Sequence, residues 1–355
     1  MPLQVVLDLL KTCALALAGM VVLLSLVLLA ERLVSSLIAL QAQRRGAELA
    51  PRVYQAIQES AATPAAAWKL TPFDRHVVRG ILHRLALDLR GDAGENIAAL
   101  YESLGLRRAD EGRLRAWSGS RRARAAVSLG LIGSGEALPA LLRALDDDDV
   151  RVRQATAWAV GQIAGGEELV VLIPLLGDPS TAVARRAQEV LAQRGREIES
   201  ALLRFAGDTD SREGRLRAIE LLGWLRVSDS VGLLLRLMTA PDPELRVKAV
   251  KAAAAIGDPR FLEPFHEALK DSQWEVRCQA ARGLGLLGSP LSVPRLGRAL
   301  RDPKWWVRFH AAVSLAEVGP VGEAELTGAL EDGSPAARDM ARYLLERGSA
   351  LPVLP

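Results

Sequence analysis

Catalysis needs nucleophiles, general acids and bases, or metal ligands at spacings that bring them together. The 355-residue sequence holds four histidines and two cysteines, so the commonest ligands are scarce. His266-Glu267 is the strongest candidate, because an imidazole beside a carboxylate can exchange a proton or ligate a metal. It stands alone: the neighbourhood one unit further on gives His310-Ala311. One dyad cannot supply a dinuclear centre, and the sequence favours a plain surface pair on a helix. His76 and His83 have no carboxylate completing a ligand set. Asp146 to Asp149 form the densest acidic cluster. Calcium would require ligands alternating through a loop with a glycine turn, so a solvated turn capping the next helix is the better reading.

Cys13 lies in an apolar run and Cys278 among small residues, which excludes a disulfide framework or a cysteine metal site. No glycine-rich phosphate loop, nucleophile elbow or zinc spacing occurs. The expectation is a non-enzymatic protein with no cofactor, no metal and no small-molecule substrate.

The elements that carry these residues are helical. Half the chain is apolar, a quarter charged and 4% aromatic, and Ala, Leu and Arg lose little freedom in a helix. The net charge of +3 gives no general argument for a nucleic-acid partner. From Thr12 to Ala30 no charge occurs. At about 1.5 Å per residue those positions span roughly 28 Å as a helix, close to the hydrocarbon core of a bilayer. A cleavable signal would be shorter and end in an A-x-A-like pattern; this run ends Val27-Leu28-Leu29-Ala30 and continues into ERLVSSLIALQAQRR. An uncleaved single-pass anchor in the cell (inner) membrane is expected. Lys11 precedes the run, while Arg32, Arg44, Arg45 and Arg52 follow it, which puts the C-terminal body in the cytoplasm by the positive-inside bias.

A period of 31 organises the remainder. Seven gapless windows read RRARAAVSLGLIG, VRQATAWAVGQIA, VARRAQEVLAQRG, GRLRAIELLGWLR, LRVKAVKAAAAIG, VRCQAARGLGLLG and VRFHAAVSLAEVG. The second column is Arg122, Arg153, Ala184, Arg215, Arg246, Arg277 and Arg308. The fifth is small, the ninth supplies an apolar stripe, and the tenth is Gly or Ala throughout, so neighbouring helices can approach closely. Gly133, Gly195, Gly257, Gly288 and Gly319 close five windows as expected helix C-caps. A second apolar helix follows in the units at 138–145, 230–238, 261–269 and 293–300.

Each unit then offers a turn acid: Asp147, Asp178, Asp208, Asp242, Asp271, Asp302 or Asp332. Placed before the next first helix, these residues can cap its free N–H groups. Asp147, Asp271 and Asp302 precede a column arginine by six residues. The expectation is a structural ladder in which each arginine bonds the aspartate of its own or an adjacent turn.

The pattern D-x-x-x-x-V-R-x-x-A with a downstream small residue and Gly resembles HEAT repeats of the short, phycobilisome-lyase-like kind, over about residues 121–347. The resemblance implies an all-α fold, a right-handed superhelical α-solenoid of helical hairpins. HEAT-like deoxyhypusine hydroxylases bind two irons with several His-Glu pairs on different repeats, which this sequence lacks. The expected organisation is a tail at 1–11, a transmembrane helix at 12–30, and a juxtamembrane helix and linker at 31–72. A divergent helical part at 73–120, the repeats at 121–347 and a tail at 348–355 complete it. Tether, helical segment ending Tyr101-x-x-Leu104-Gly105-Leu106 and repeats together resemble bacterial membrane-anchored HEAT proteins. Some of that group are encoded near glycosyltransferases of surface-polysaccharide synthesis.

Two surfaces are candidate partner sites. Arg107, Arg108, Arg113 and Arg115 begin an arginine group that continues through Arg121, Arg122 and Arg124, suited to anionic lipid or an acidic protein. Trp274, Trp305 and Trp306 offer indole rings, Trp274 and Trp305 in one register; packing between repeats and recognition of a partner are both open to them. The function expected is a membrane-anchored scaffold or adaptor for one or more proteins. A lyase- or hydroxylase-like enzyme is the alternative, and a nucleic-acid binder is disfavoured by the tether and the weak charge.

Overall fold

The computed structural model describes residues 3–59, 68–89 and 91–347. These fall into two compact units, one drawn from residues up to 116 together with 131–137, the other from 117–130 and from 138 onward.

Unit 1 begins with α1 (Leu3–Gln58), one helix that takes in the expected tail, transmembrane run and juxtamembrane helix without a break. Pro51 lies inside it. From Leu17 to Leu40 its large apolar side chains are exposed, Leu23 by 63% and Leu37 by 64%. Length and composition fit a membrane span or a signal sequence alike. Further on, α1 changes character: Leu49, Val53, Ala56 and Ile57 are buried in one core with Val78, Leu82, Ile97 and Leu100. Those partners come from α2 (Pro72–Asp88) and α3 (Asp92–Ser103). Thr71 starts α2 with a capping box, its hydroxyl accepting from Asp74 N–H while the Asp74 carboxylate accepts from Thr71 N–H. The same carboxylate receives Arg45 Nε of α1 at 2.6 Å, which pins the two helices together. Gly105, at φ +66°, makes the left-handed turn into α4 (Leu106–Arg113), a conformation that costs other residues roughly 1 kcal/mol or more. Tyr101 and Leu106 are 1% exposed, so the Y-x-x-L-G-L segment is a buried corner.

Unit 2 repeats a hairpin. Its first helices are α5 (Gly119–Ile132), α7 (Val150–Ile163), α8 (Thr181–Gln193), α10 (Arg212–Trp224), α12 (Pro243–Ile256), α14 (Trp274–Leu287) and α16 (Trp305–Glu317), each starting 31 residues after the last. The second helices are α6 (Leu138–Ala144), α9 (Glu199–Asp208), α11 (Val231–Leu237), α13 (Leu262–Ala268), α15 (Val293–Ala299) and α17 (Pro320–Gly328), with α18 (Pro335–Arg347) after them. Between α7 and α8 the second element is a 3-10 segment, Gly166–Gly177. Pro174 lies in it and cannot donate a helical hydrogen bond.

The columns explain the stacking. The fifth, from Ala125 to Ala311, is buried in every unit, and the ninth, from Leu129 to Leu315, is at most 1% exposed. At the tenth, a Cβ on Gly223 would stand 2.7 Å from Ala252 Cα, so helices α10 and α12 meet through a missing side chain. Gly257 and Gly288 are left-handed C-caps. Two of the expected caps differ. Gly195 opens a 3-10 turn after the C-cap Arg194, and Gly319 precedes α17 while Val318 caps α16. The all-α solenoid of helical hairpins is the fold the period predicts.

Candidate functional site

Four column arginines reach forward, each forking onto the aspartate 25 residues on. Arg122 grips Asp147 at 2.7 and 2.7 Å, Arg153 grips Asp178 at 2.8 and 3.0 Å, Arg246 grips Asp271 at 2.7 and 2.9 Å, and Arg277 grips Asp302 at 2.6 and 3.0 Å. The remaining Nη1 of Arg153, Arg246 and Arg277 reaches back to the carbonyl six residues upstream, at 2.8 to 2.9 Å. Each such arginine thereby ties its own turn to the next. A planar guanidinium suits this two-sided task, since its donors are fixed in a fork.

The acids serve the turn as well as the fork. Asp147, Asp178, Asp271 and Asp302 each accept from the N–H two residues on, which orders the turn just before the N-cap. The caps proper sit two residues later, as at Asp149 and Asp242. Asp242 thus belongs to a different column from Asp147, and Asp208 is the last residue of α9; Thr209 makes the turn there, its hydroxyl accepting from Ser211 N–H. The Arg122 fork, against the opposing effect of burial, holds the Asp147 carboxyl below its ordinary value. Burial pushes Asp178 and Asp271 up, but their arginines and turn N–H groups outweigh it and leave both lowered.

Two arginines break the pattern. Arg215 donates from Nη2 to the Thr209 carbonyl at 2.5 Å, but Ala240 occupies the position of its aspartate and its buried Nε has no acceptor among the described residues. Arg308 donates from Nη1 to the carbonyls of Asp302 and Pro303, and its buried Nε too has no acceptor among the described residues.

The other sequence candidates scatter. Arg107 is largely buried and shared among Glu102, Glu111 and Glu136. Arg113 pairs with the buried Asp110 at 2.6 Å. Arg108 and Arg115 are exposed. The arginine group is therefore partly neutralised from within, not an open basic patch. Trp274 is half-buried, whereas Trp305 and Trp306 are 42% and 44% exposed. Trp305 stacks on Phe309 at 5.0 Å, meets Trp306 edge-on at 4.8 Å, and lies 6.4 Å from Tyr343 of α18. Sequence reasoning passed over Trp117, 84% exposed with Arg121 above its ring, and Trp224, 56% exposed. A Trp at the solvent end of a helix, outside the apolar columns, was the available signal.

His266, His83, Asp147 and Asp149 are engaged in structural contacts. His266 is fully buried, with Nε2 3.2 Å from Ser292 Oγ. Its Nδ1 lies 3.2 Å from Glu263 Oε1 without hydrogen-bond alignment. Glu267 points the other way, exposed and bonded to Lys270. Burial lowers the His266 imidazole pKa, and Lys270 lowers the Glu267 carboxyl pKa. The neighbours in sequence are not a dyad in space. His76 is exposed, while His83 stacks on Tyr101 and burial pushes its imidazole down to about 4. In that corner Tyr101 donates to Asp110, and Arg79 Nε lies 3.2 Å from both. Of the Asp146–Asp149 cluster, Asp147 holds Arg122 while Asp149 caps α7 and pairs with Arg151. Among the described residues no three His, Cys, Asp or Glu side chains are grouped to hold a metal ion.

Solved structures with the same arrangement include importin beta, 13% identical over 86% of this chain and 47% of its own, with a TM-score of 0.54. A Kap121p mutant is 14% identical over 82% of this chain and 37% of its own, with a TM-score of 0.53. The CpcE–CpcF complex of phycocyanin lyase from Nostoc sp. PCC7120 is 18% identical over 68% of this chain and 93% of its own, at a TM-score of 0.31. The first two share the fold. No curated protein matches the sequence. A family model for HEAT repeats matches residues 112–192, 199–272 and 262–346. With most of its length so matched and its hairpins stacked at a fixed period, the chain belongs to the HEAT-repeat family.

Proposed function

We propose that the chain is a membrane-anchored, non-enzymatic scaffold that holds one or more proteins at the cytoplasmic face of the cell membrane. The observation that carries this reading is the disposition of the polar residues. The ladder arginines and aspartates, of types needed for chemistry, tie one repeat to the next, and four tryptophans are among the large apolar side chains left outside. An array of stacked hairpins presents an extended surface, and exposed indoles are frequent anchors of protein interfaces. A bacterial membrane complex, such as one for surface-polysaccharide synthesis, fits the resemblance.

The anchor reading is supported by α1. The exposed apolar stretch runs without a break into the core of unit 1, so a cleavage site would lie inside a continuous helix. Basic residues concentrated after the stretch favour a cytoplasmic body.

The test is site-specific photocrosslinking in intact membranes from positions 117, 224 and 306, with adducts identified by mass spectrometry. A scaffold yields the same protein adducts in independent preparations. Adducts limited to lipid, or none from any position, would discard it. The lyase- or hydroxylase-like alternative demands a chromophore or metal in the purified protein, read by absorbance and elemental analysis.

A further inference from the structure

The uncharged run of α1 ends at Ala30, and Glu31 and Arg32 follow it. The exposure of apolar side chains does not end there. Every residue of α1 from 19 to 41 is exposed, Leu33 by 57%, Leu37 by 64% and Leu40 by 46%. With the run filling the hydrocarbon core, Leu33 to Leu40 lie about 5 to 15 Å beyond it along the helix. A bilayer reaching Leu40 would take Glu31 and Arg32 into its apolar interior, which is costly for ionised groups. Lipid therefore leaves these leucines bare, and contiguous apolar surface in water marks an interface.

The spacing of the stripe is regular. Leu23, Leu26, Ala30, Leu33, Leu37 and Leu40 follow one another at alternating intervals of three and four residues. That is the 3.5-residue period at which two helices coil around each other. The positions flanking its outer part, Val34, Ser36, Gln41 and Gln43, are uncharged, so an identical helix meets no repulsion there. The hydroxyls of Ser35 and Ser36 donate to the Arg32 carbonyl at 2.9 and 2.8 Å and need no partner across the seam. The next seam position is Arg44, where two copies bring like charges together and the contact ends. The direction of the seam agrees with this. At about 100° per residue, Leu33 and Leu40 point roughly opposite to Ala42, Leu49 and Val53, the side chains with which α1 packs into unit 1. The stripe is therefore turned away from α2 and α3.

We infer that α1 pairs in parallel with α1 of a second copy of this chain, through Leu26, Ala30, Leu33, Leu37 and Leu40. The inference rests on the reading of the chain as membrane-anchored. Anchoring itself selects the occupant: copies inserted in one direction hold their α1 helices parallel and at one height, so each seam residue meets its own counterpart. About two heptads of seam is little contact for two proteins free in water. Confinement to one membrane raises the effective concentration and makes the short seam sufficient. Pairing doubles the partner-binding surface that the scaffold holds at one point of the membrane.

The experiment is oxidative crosslinking in isolated membranes, with single cysteines placed on α1 of the full chain in a Cys13→Ala, Cys278→Ala background. Leu33→Cys, Leu37→Cys and Leu40→Cys should each give a disulfide-linked dimer on a non-reducing gel. Their yield should be roughly fivefold or more above that of Arg32→Cys, Ser35→Cys and Ala39→Cys, which lie on the other side of the helix. Adding Leu37→Glu to the Leu33→Cys protein should cut its dimer yield about fivefold or more, because two carboxylates then meet at the seam. Adding Ser35→Glu, off the seam, should change that yield less than about twofold. Equal yields all round the helix, no dimer from any position, or a disulfide to a different protein overturns the pairing. A disulfide to a different protein does so while leaving the scaffold reading standing. Loss of the parent chain from carbonate-washed membranes removes the anchor reading itself, and the pairing with it.

Discussion

Arg246 and Asp271, 25 residues apart in sequence, are joined by two N–H···O bonds of 2.7 and 2.9 Å; one repeat earlier, Arg215 meets Ala240 at the same position. The backbone there already has the required form, because the Ala240 carbonyl accepts from Arg246 Nη1 as the Asp271 carbonyl accepts from Arg277. Ala240→Asp should therefore complete the rung without rearrangement. A half-buried forked pair is worth about 1 kcal/mol, and the gain should appear as a rise of a few degrees in the melting temperature. Arg215→Ala in the Ala240→Asp background should abolish that gain. A variant that melts lower than the parent would show that the two positions are not equivalent.

Acid should weaken the ladder. Asp271 and Asp178 titrate below their ordinary range despite burial, because the folded state offers Arg246 or Arg153 and a turn N–H. In unit 1 the Arg45 hydrogen bond draws Asp74 down to about 2. A carboxylate depressed on folding contributes its stability above its unfolded pKa of roughly 4 and loses it as pH falls through the folded value. Melting temperatures should hold from pH 7 to about 5 on this account and fall steeply between about 4 and 2. Asp271→Asn should cost about 1–2 kcal/mol at pH 7, since Arg246 keeps only a neutral acceptor, and should show a shallower loss in acid. Parallel pH profiles for the two proteins would contradict this assignment.

The helical starts were legible because one physical demand recurs every 31 residues. A small residue at the fifth column and an apolar one at the ninth are needed wherever two first helices touch, and composition alone records this. The acids were less legible. Asp147 and Asp242 look alike in sequence and each receives an arginine fork, yet one orders the turn and is held by the column arginine while the other is an N-cap two register positions later, held by Arg212. His266 and Glu267 illustrate a second limit. Adjacent residues on a helix point about 100° apart, so one entered the core and the other stayed in solvent. The Arg107 cluster illustrates a third limit: Glu102, Glu111 and Glu136 reach Arg107 from three places in the chain, and linear charge counting does not show that they share one guanidinium.

Backbone strain offers another measurable quantity. Arg226 has φ +53° and is the one residue other than glycine with positive φ among those described. It ends the fourth window, where Gly133, Gly257 and Gly288 stand in other units with φ between +61° and +73°. Its side chain is exposed and its backbone N–H bonds the Gly223 carbonyl at 3.1 Å, so glycine would keep the turn and relieve the Cβ. Arg226→Gly should raise stability by about 1 kcal/mol. Arg226→Val, β-branched, should lower it by a similar amount or more. Denaturant titrations with unchanged slope and shifted midpoints would establish both changes as effects on stability.

The position at which α1 is cut should separate anchoring from folding. Removal of residues 1–40 takes away the exposed apolar stretch but leaves Arg45 to hold Asp74, and Leu49, Val53 and Ile57 to fill the core of unit 1. That protein should leave the membrane fraction and remain monodisperse. Removal of residues 1–58 takes those groups too, and exposes the faces of α2 and α3 that carry Val78, Leu82 and Ile97. Losing three buried aliphatic side chains at about 1.5–3 kcal/mol each is comparable to the net stability of many small domains, so unit 1 should unfold while the repeats of unit 2 keep their helicity. Alkaline carbonate extraction and circular dichroism melts distinguish the two effects. If the 41–355 protein stays with the membrane after carbonate washing, the anchor lies elsewhere; if the 59–355 protein melts like the 41–355 protein, the end of α1 is not a structural part of unit 1.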